Sequence, residues 1–565
     1  MRKRLILFAA GVVALTALVA LPAGAGDGPG FKTSQPAMLK GMPGTTVTPI
    51  ISVGDTVGGY MFEAIPDGIS VSKINGNGTA DILVNHELSL VPFGGGTPAT
   101  RQDPSNALLS EIRLHQKSAG VLKGSYVIPS SAAYQRFCSN FLVGLAHGFE
   151  RELLFTNEEA RDIVLRREDS WHQPGVSLSE PGAEQAGVVV AYDVKSGAYR
   201  SIYGMGRHNH ENAVGVPGYG YPVVLSGDDT FDAPASQLYL YKAASGAAVW
   251  NDTGKLYAFK SNNPAINDYG DLTTASPSVT GTFVEVPRAI ATGKINGREV
   301  TSADFGYPEP SDTDPYPSER TAAMPDGPQW VLEHWSNLNN VFQFIRIEDI
   351  AYDRTNGKTV YFADTGEPRG RQDTPATPTT PPTTRLERGT TSTGPYMNGR
   401  LYKLVLNSSD PLGNATLSIL PGANYDDLGY RNAAAPHQPD NVETTKNAIF
   451  FQEDPGSHNA QSVTFPTAPN ARIWRYDLTT GVSTVVAEVD QSARPVGPGE
   501  QPQPRGTWES SGIVDASAVF GPGAFLVDVQ AHGWDMDAGT GNDPPAVPKR
   551  ERGQLLLFRA PPALT

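Results

Sequence analysis

Apolar and polar residues alternate in short runs along most of this 565-residue chain, and Gly, Pro, Asp or Asn bounds nearly every run. Alternation with a period of two predicts half-buried strands, and the breaker clusters predict the turns between them. The clearest runs come in pairs: GVVVAYD before YRSIYG, FIRIEDIAYD before KTVYFAD, and ARIWRYD before STVVAEV. A Tyr-Asp-x-x-x-Gly segment joins each pair, at Tyr192–Gly197, Tyr352–Gly357 and Tyr476–Gly481. Each reads as a hairpin with Gly where the turn needs positive φ. SQLYLYKAASGAAVW and GRLYKLVLN read as further strands of this type. No long segment has a helical period, although 105–115 and 185–190 are ambiguous.

Successive copies of the hairpin motif lie 160 and 124 residues apart, so they are not a strict repeat. Degenerate hairpins over ~500 residues predict an all-β fold, a β-propeller of about six blades with large loop insertions, rather than a sandwich. Two unrelated β domains are the competing reading. In a propeller, the strand near Gln554–Phe558 should pair with the start of the mature chain, because closure removes exposed sheet edges.

Arg2, Lys3 and Arg4 precede a 17-residue apolar run, Leu5–Leu21, and then Ala23-Gly24-Ala25. That order predicts a signal peptide over 1–25, cut after Ala25, with an uncleaved anchor as the alternative. The leading charges are not a clear twin arginine, so export as an unfolded chain is expected, with any metal acquired outside the cytoplasm. Residues 26–565 then form one exported domain that is secreted, periplasmic or at the cell surface, without stable membrane insertion. Thr/Pro-rich 368–395 should be a mobile loop insertion, and 491–507 has similar character.

Composition narrows function more than fold. With 59 Asp+Glu against 44 Lys+Arg, the net charge of −15 argues against a nucleic-acid partner. Only 18% of residues are charged and 39% are hydrophobic, which opposes extended disorder. A lone cysteine, Cys138, excludes a disulfide framework. There is no G-x-S-x-G elbow, P-loop or dinucleotide fingerprint. His86-Glu87 lacks the second His of a zincin, and His208 and His210 have no evident zinc partners. The Asp-rich loop from Asp535 to Asp543 departs from the EF-hand pattern and reads as a glycine-rich surface loop.

What remains is a series of acidic clusters at strand ends: VNHE (84–87), FTNEEAR (155–161), GRHNHEN (206–212), SGDD (226–229), FIRIED (344–349), QPDN (438–441) and ESSGI (509–513). Strand starts of a propeller converge on its axis, where grouped carboxylates repel unless cations compensate them. Any one cluster alone is better explained as a solvated turn. Together they predict a site for hard cations.

In this order, VNHE, a Cys, T-x-E-E, G-R-x-x-H-E, G-D-D, R-x-E and P-D-N, the motifs resemble the PhoX-type alkaline phosphatase family, secreted β-propellers that use calcium and iron. The resemblance spans about 45–560. The tail W-E-S-S-G-I, followed by FLVDVQAH, is similar to a divergent secreted branch of that family. The resemblance implies that Cys138 is a thiolate ligand of Fe3+ with Glu159 nearby. It also implies that Glu211 and Asp229 bind Ca2+, that Glu348 and Asp440 complete the metal set, and that Arg346 grips phosphate. A thiolate suits iron, and a guanidinium fork matches phosphoryl oxygens. A buried apolar thiol is the alternative for Cys138.

Three functions follow from these readings. The first is an exported metal-dependent phosphoesterase that acts on small phosphate esters through metal-activated oxygen, with Arg346 as the clamp and Cys138 at the centre. The second is a non-catalytic calcium-binding propeller, and the third another propeller hydrolase of phytase or lactonase type. The first requires Cys138, Glu159, Glu211 and Glu348 to converge, with Arg346 free of a permanent carboxylate partner.

Overall fold

The alternating segments fold into six antiparallel blades of four main strands each, and in five of them those strands follow chain order. The computed structural model describes residues 28–87, 106–166, 176–229, 235–310, 325–367, 369–374, 383–388, 396–455, 469–493, 506–535, 551–561 and 564. The expected signal peptide and most of the Asp535–Asp543 loop lie outside these residues.

Blade one comprises Pro66–Asn75, Thr79–His86, Leu108–His115 and Val121–Ile128. Blade two comprises Phe137–Val143, Leu153–Glu158, Val189–Asp193 and Tyr199–Ile202. Blade three comprises His210–Gly215, Val223–Asp228, Leu238–Lys242 and Lys255–Ser261. Blade four comprises Ile347–Tyr352, Thr359–Asp364, Arg400–Val405 and Ala415–Asn424. Ser278–Glu285 pairs with the outer strands of blades three and four and joins them into one nine-stranded sheet. Blade five comprises Pro439–Thr444, Ala448–Glu453, Arg472–Asp477 and Ser483–Val489. Blade six has Glu509–Asp515, Ala524–Asp535 and Glu551–Arg559.

The first strands of consecutive blades neighbour one another in a closed ring, from blade one around to blade six and back. Blade six takes its fourth strand from the other end of the chain: Thr46–Ser52 pairs with Glu551–Arg559, with Ser52 opposite Gln554. Gln554 fastens this closure from inside, where its Oε1 accepts from Met38 N at 2.9 Å and its Nε2 donates to Pro36 O at 3.0 Å.

Strand alternation also builds the core. Both faces of every blade are covered, so inner strands such as Ala448–Glu453 are buried throughout. Ile449 and Phe451 point toward blade four, whereas Phe450 points toward blade six. Six hydrophobic clusters result, one at each blade interface.

The three Tyr-Asp-x-x-x-Gly segments are hairpin turns, and Asp193, Asp353 and Asp477 each cap theirs by accepting from the backbone N–H groups two and three residues on. Gly197 and Gly481 have positive φ, but Gly357 does not. SQLYLYKAASGAAVW is strand only in its first half, because Ser245 caps a short helix, Gly246–Trp250. An eleven-residue helix, Pro328–Leu338, has no counterpart in the sequence reading. It is buried on nearly every side: Val331, Leu332 and Trp335 join the core, and its polar face is covered too, with Gln329 and Glu333 hydrogen-bonded to other elements. Within the Thr/Pro-rich insertion, Arg369–Thr374 pairs with Thr383–Arg388. No described helix is long and apolar enough to cross a membrane.

Candidate metal centre

Each blade sends two side chains to the axis from the same two places. The first is the second residue of the first strand: Asp67, Cys138, Glu211, Glu348 and Asp440. The other is the residue just past the second strand: Glu87, Glu159, Asp229, Thr365 and Asp454. Register explains the pairing, since Pro66, Phe137, His210, Ile347 and Pro439 lie opposite His86, Glu158, Asp228, Asp364 and Glu453. In blade six Glu509 and His532 take the corresponding places, with Glu509 opposite Gln530. In blades one, three, four and five the register shifts directly after this pair. Such bulges re-aim side chains, here toward the axis.

The donors form an unbroken string. Asp67, Glu87 and Cys138 have ligand atoms within 4.8 Å of one another. So do Cys138, Glu159 and Glu211, then Glu211, Glu348 and Asp440, then Asp440, Asp454 and Glu509. Hydrogen bonds hold them from behind. Cys138 Sγ donates to Asp67 Oδ2 at 3.0 Å, Ser139 Oγ to Glu211 Oε1 at 2.9 Å, and Thr365 Oγ1 to Glu348 Oε1 at 2.6 Å. Gln530 Nε2 donates to both Asp67 and Glu87, at 3.1 and 3.0 Å. Asn441 bridges blades two and six, donating to Ser139 Oγ and accepting from Ser511 Oγ, each at 3.0 Å. Gly68 permits this convergence, because a Cβ there would lie 2.3 Å from Asn140 N.

The string is electrostatically unbalanced. Burial, then Glu348 and Asp440, raises the Glu211 pKa well above the carboxylate range. Glu348 rises through burial and Asp229 against the opposing Arg346, and Asp440 through burial and Glu509. The Cys138 thiol is pushed up by burial and by the Asp67, Glu211, Glu159 and Glu87 carboxylates. It is therefore not a thiol packed among apolar side chains. Protein groups alone leave so many buried acids poorly satisfied, and cations would satisfy them. The donor set fits: several carboxylate oxygens suit a hard cation, and one thiolate suits a softer metal.

Two arginines reach this region, each from the residue before a first strand: Arg136 in blade two and Arg346 in blade four. The expectation of a free Arg346 is corrected. Its Nε and Nη2 donate to both oxygens of Asp229 at 2.6 Å, and Nη2 lies 3.3 Å from Glu348. Asp229, expected as a ligand, is in none of the clustered groups and instead holds Arg346. Arg136 lies 3.6 Å from Glu87 and 3.8 Å from Glu159, and its side chain is 43% exposed.

Of the sequence-predicted residues, Cys138, Glu159, Glu211, Glu348 and Asp440 come together. Asp67, Glu87, Asp454 and Glu509 join them without having been assigned a role. Glu87 and Glu509 lay in motifs already noticed. Asp67 and Asp454 were legible only from position, as the second residue of a first strand and the residue after a second one.

Fold and site together define a six-bladed propeller with a carboxylate–thiol string on its axis. Pseudomonas fluorescens PhoX, solved in complex with vanadate, a transition-state analogue, has this fold: the TM-score is 0.52 at 16% identity, over 94% of this chain and 98% of that one. The resemblance drawn from the ordered motifs therefore holds for the whole fold. A prolyl endopeptidase structure matches at a TM-score of 0.20 and 8% identity, covering 82% of this chain and 54% of that one, too weak to carry an argument. No family model and no curated protein matches the chain.

Proposed function

We propose that the protein is an exported metal-dependent phosphoesterase acting on small phosphate esters. The observation that carries this reading is the axial string from Asp67 to Glu509, which joins a thiol to carboxylates of all six blades in a PhoX fold. Ca2+ would be held where oxygens alone converge, at Glu211, Glu348 and Asp440, and Fe3+ where Cys138 joins Glu159 and Glu211. Bound there, these ions would neutralise the phosphate and make its phosphorus more electrophilic.

The protein's own groups supply orientation. Arg136 is assigned the phosphate clamp, because its side chain is 43% exposed beside Glu87 and Glu159, whereas that of Arg346 is 9% exposed and grips Asp229. Arg346 is a positioning residue that fixes Asp229 and Glu348. His532 lies between Glu509 and Glu551, and against the effect of burial both carboxylates raise its pKa.

Metal-reconstituted protein should hydrolyse an aryl phosphate. Arg136→Gln should lower kcat/KM on the order of 10²-fold with bound metal unchanged, the loss of a charge-assisted pair with phosphate. Equal loss in Arg346→Lys with none in Arg136→Gln would return the clamp to Arg346. Cys138→Ser should abolish iron content, read by elemental analysis, and hydrolysis with it, while stabilisation by Ca2+ persists. Unchanged hydrolysis in Cys138→Ser would remove iron from the mechanism. No hydrolysis by the wild type, with Ca2+ still stabilising, would leave a calcium-binding propeller.

A further inference from the structure

The interface between blades six and one is largely apolar, and Asp528 is buried in it. Leu526, Leu555 and Leu557 pack there on Ile65, Ile69 and Ile82. Alternation along Ala524–Asp535 places Asp528 on the same side as Leu526. Asp528 is 0% exposed, and among the described residues neither of its oxygens has a hydrogen-bond partner. Burial and the Asp67 carboxylate both raise its proton affinity, and no cationic group counters them.

Its electrostatic neighbour Asp67 carries another orphaned atom. Its Oδ2 accepts from Cys138 and Gln530, but its buried Oδ1 has no partner. A glycine keeps the space between them open. Gly512 has φ +49, and a Cβ built on it would stand 2.5 Å from the Asp67 carbonyl oxygen and 3.3 Å from Asp528 Oδ2. Oxygens of two residues therefore border a cradle that one methyl group would fill.

An ionised carboxylate cannot stand alone in an apolar interface. A neutral acid would still need an acceptor at ~2.5–3.0 Å for its O–H, and neither Asp528 oxygen has one. A hard cation, bonded at ~2.3–2.6 Å to several oxygens, keeps them apart while satisfying them.

We propose that Asp528, the Oδ1 of Asp67 and the carbonyl oxygen of Asp67 form a buried site for a hard divalent cation such as Ca2+, which fastens the closing blade to blade one. The proposal rests on the metal-bearing reading of the axis only through Asp67, which borders both sites. Its function is structural, because it lies behind the string and joins the blade built from both chain ends to its neighbour.

The test strips wild type, Asp528→Asn, Asp528→Leu and Glu348→Gln of metal and reloads them with Ca2+ alone. Bound ions per chain are counted by native mass spectrometry, and melting temperatures are followed. Asp528→Asn should bind one Ca2+ fewer than wild type and gain less melting temperature from Ca2+. The wild-type ion count in either Asp528 variant overturns the site. So does an Asp528→Leu protein that melts above wild type in Ca2+, as replacement of a neutral buried acid would. If the axial reading alone is wrong, Glu348→Gln keeps the wild-type count while Asp528→Asn still loses an ion. Should neither Asp528 variant fold, wild-type crystals grown with Sr2+ decide. An anomalous peak between Asp67 and Asp528 supports the site, and its absence there overturns it.

Discussion

Stripped of cations, the protein should lose stability as pH rises, the reverse of ordinary acid denaturation. Burial, then the Glu87 carboxylate, raises the Asp67 pKa from 3.8 to about 8. A carboxyl whose folded pKa exceeds its unfolded one stabilises fully below the unfolded value, and that stability drains away as pH climbs through the folded value. For Asp67 the window runs from about pH 4 to about pH 8, and its four units correspond to something on the order of 5 kcal/mol. Glu159, Glu211, Glu348, Asp440 and Glu509 shift in the same direction, each chiefly through burial. Saturating Ca2+ should flatten the slope, because a cation binds the ionised forms and stabilises the folded state by mass action. Thermal melts across this window, with chelator and with Ca2+, measure the effect. A metal-free melting temperature that holds level or rises with pH would mean that protein groups alone satisfy these acids.

Glu348→Gln should produce the largest loss of function together with a gain in metal-free stability. Glu348 belongs to the group with Glu211 and Asp440, and Thr365 and Arg346 fix its carboxylate. Gln preserves the shape and the bond from Thr365 but removes a charge. Loss of several kcal/mol of charge stabilisation corresponds to on the order of 10³-fold in kcat/KM for an aryl phosphate. Without metal the same change removes one of the mutually repelling buried acids, so the variant should melt above wild type in chelator. A parallel loss of stability in chelator would mark Glu348 as a structural residue instead.

The contrast between Arg346 and Arg136 shows where reading the sequence stopped. R-x-E is visible in the chain, and the motif order assigned its arginine to phosphate. What Arg346 touches depends on Asp229, 117 positions earlier, and strand spacing cannot show that the two meet in a bidentate pair. Arg136 lies two residues from Cys138 in a segment read only for its thiol, and its half exposure is a property of the assembled ring. Asp67 and Asp454 escaped for a related reason. Their neighbourhoods have no distinctive composition, and only their places at the starts and ends of inner strands give them meaning.

The chain's own pattern determined the strands, the hairpins capped by Asp193, Asp353 and Asp477, and the all-β class, because alternation and turn chemistry act over a few residues. It also predicted the closing pair, since an open propeller edge would leave unpaired backbone beside the Gln554 strand. The helix Pro328–Leu338 stayed hidden because it is only eleven residues long and its polar face is buried by partners from distant elements, such as Gln237 on Glu333. Which acids share a cluster, which arginine stays half exposed and which carboxylate is left without a partner between blades six and one were decided by the tertiary structure alone. Those are distances of a few ångströms between residues hundreds of positions apart, and ring closure brings them together where no local rule of sequence reaches.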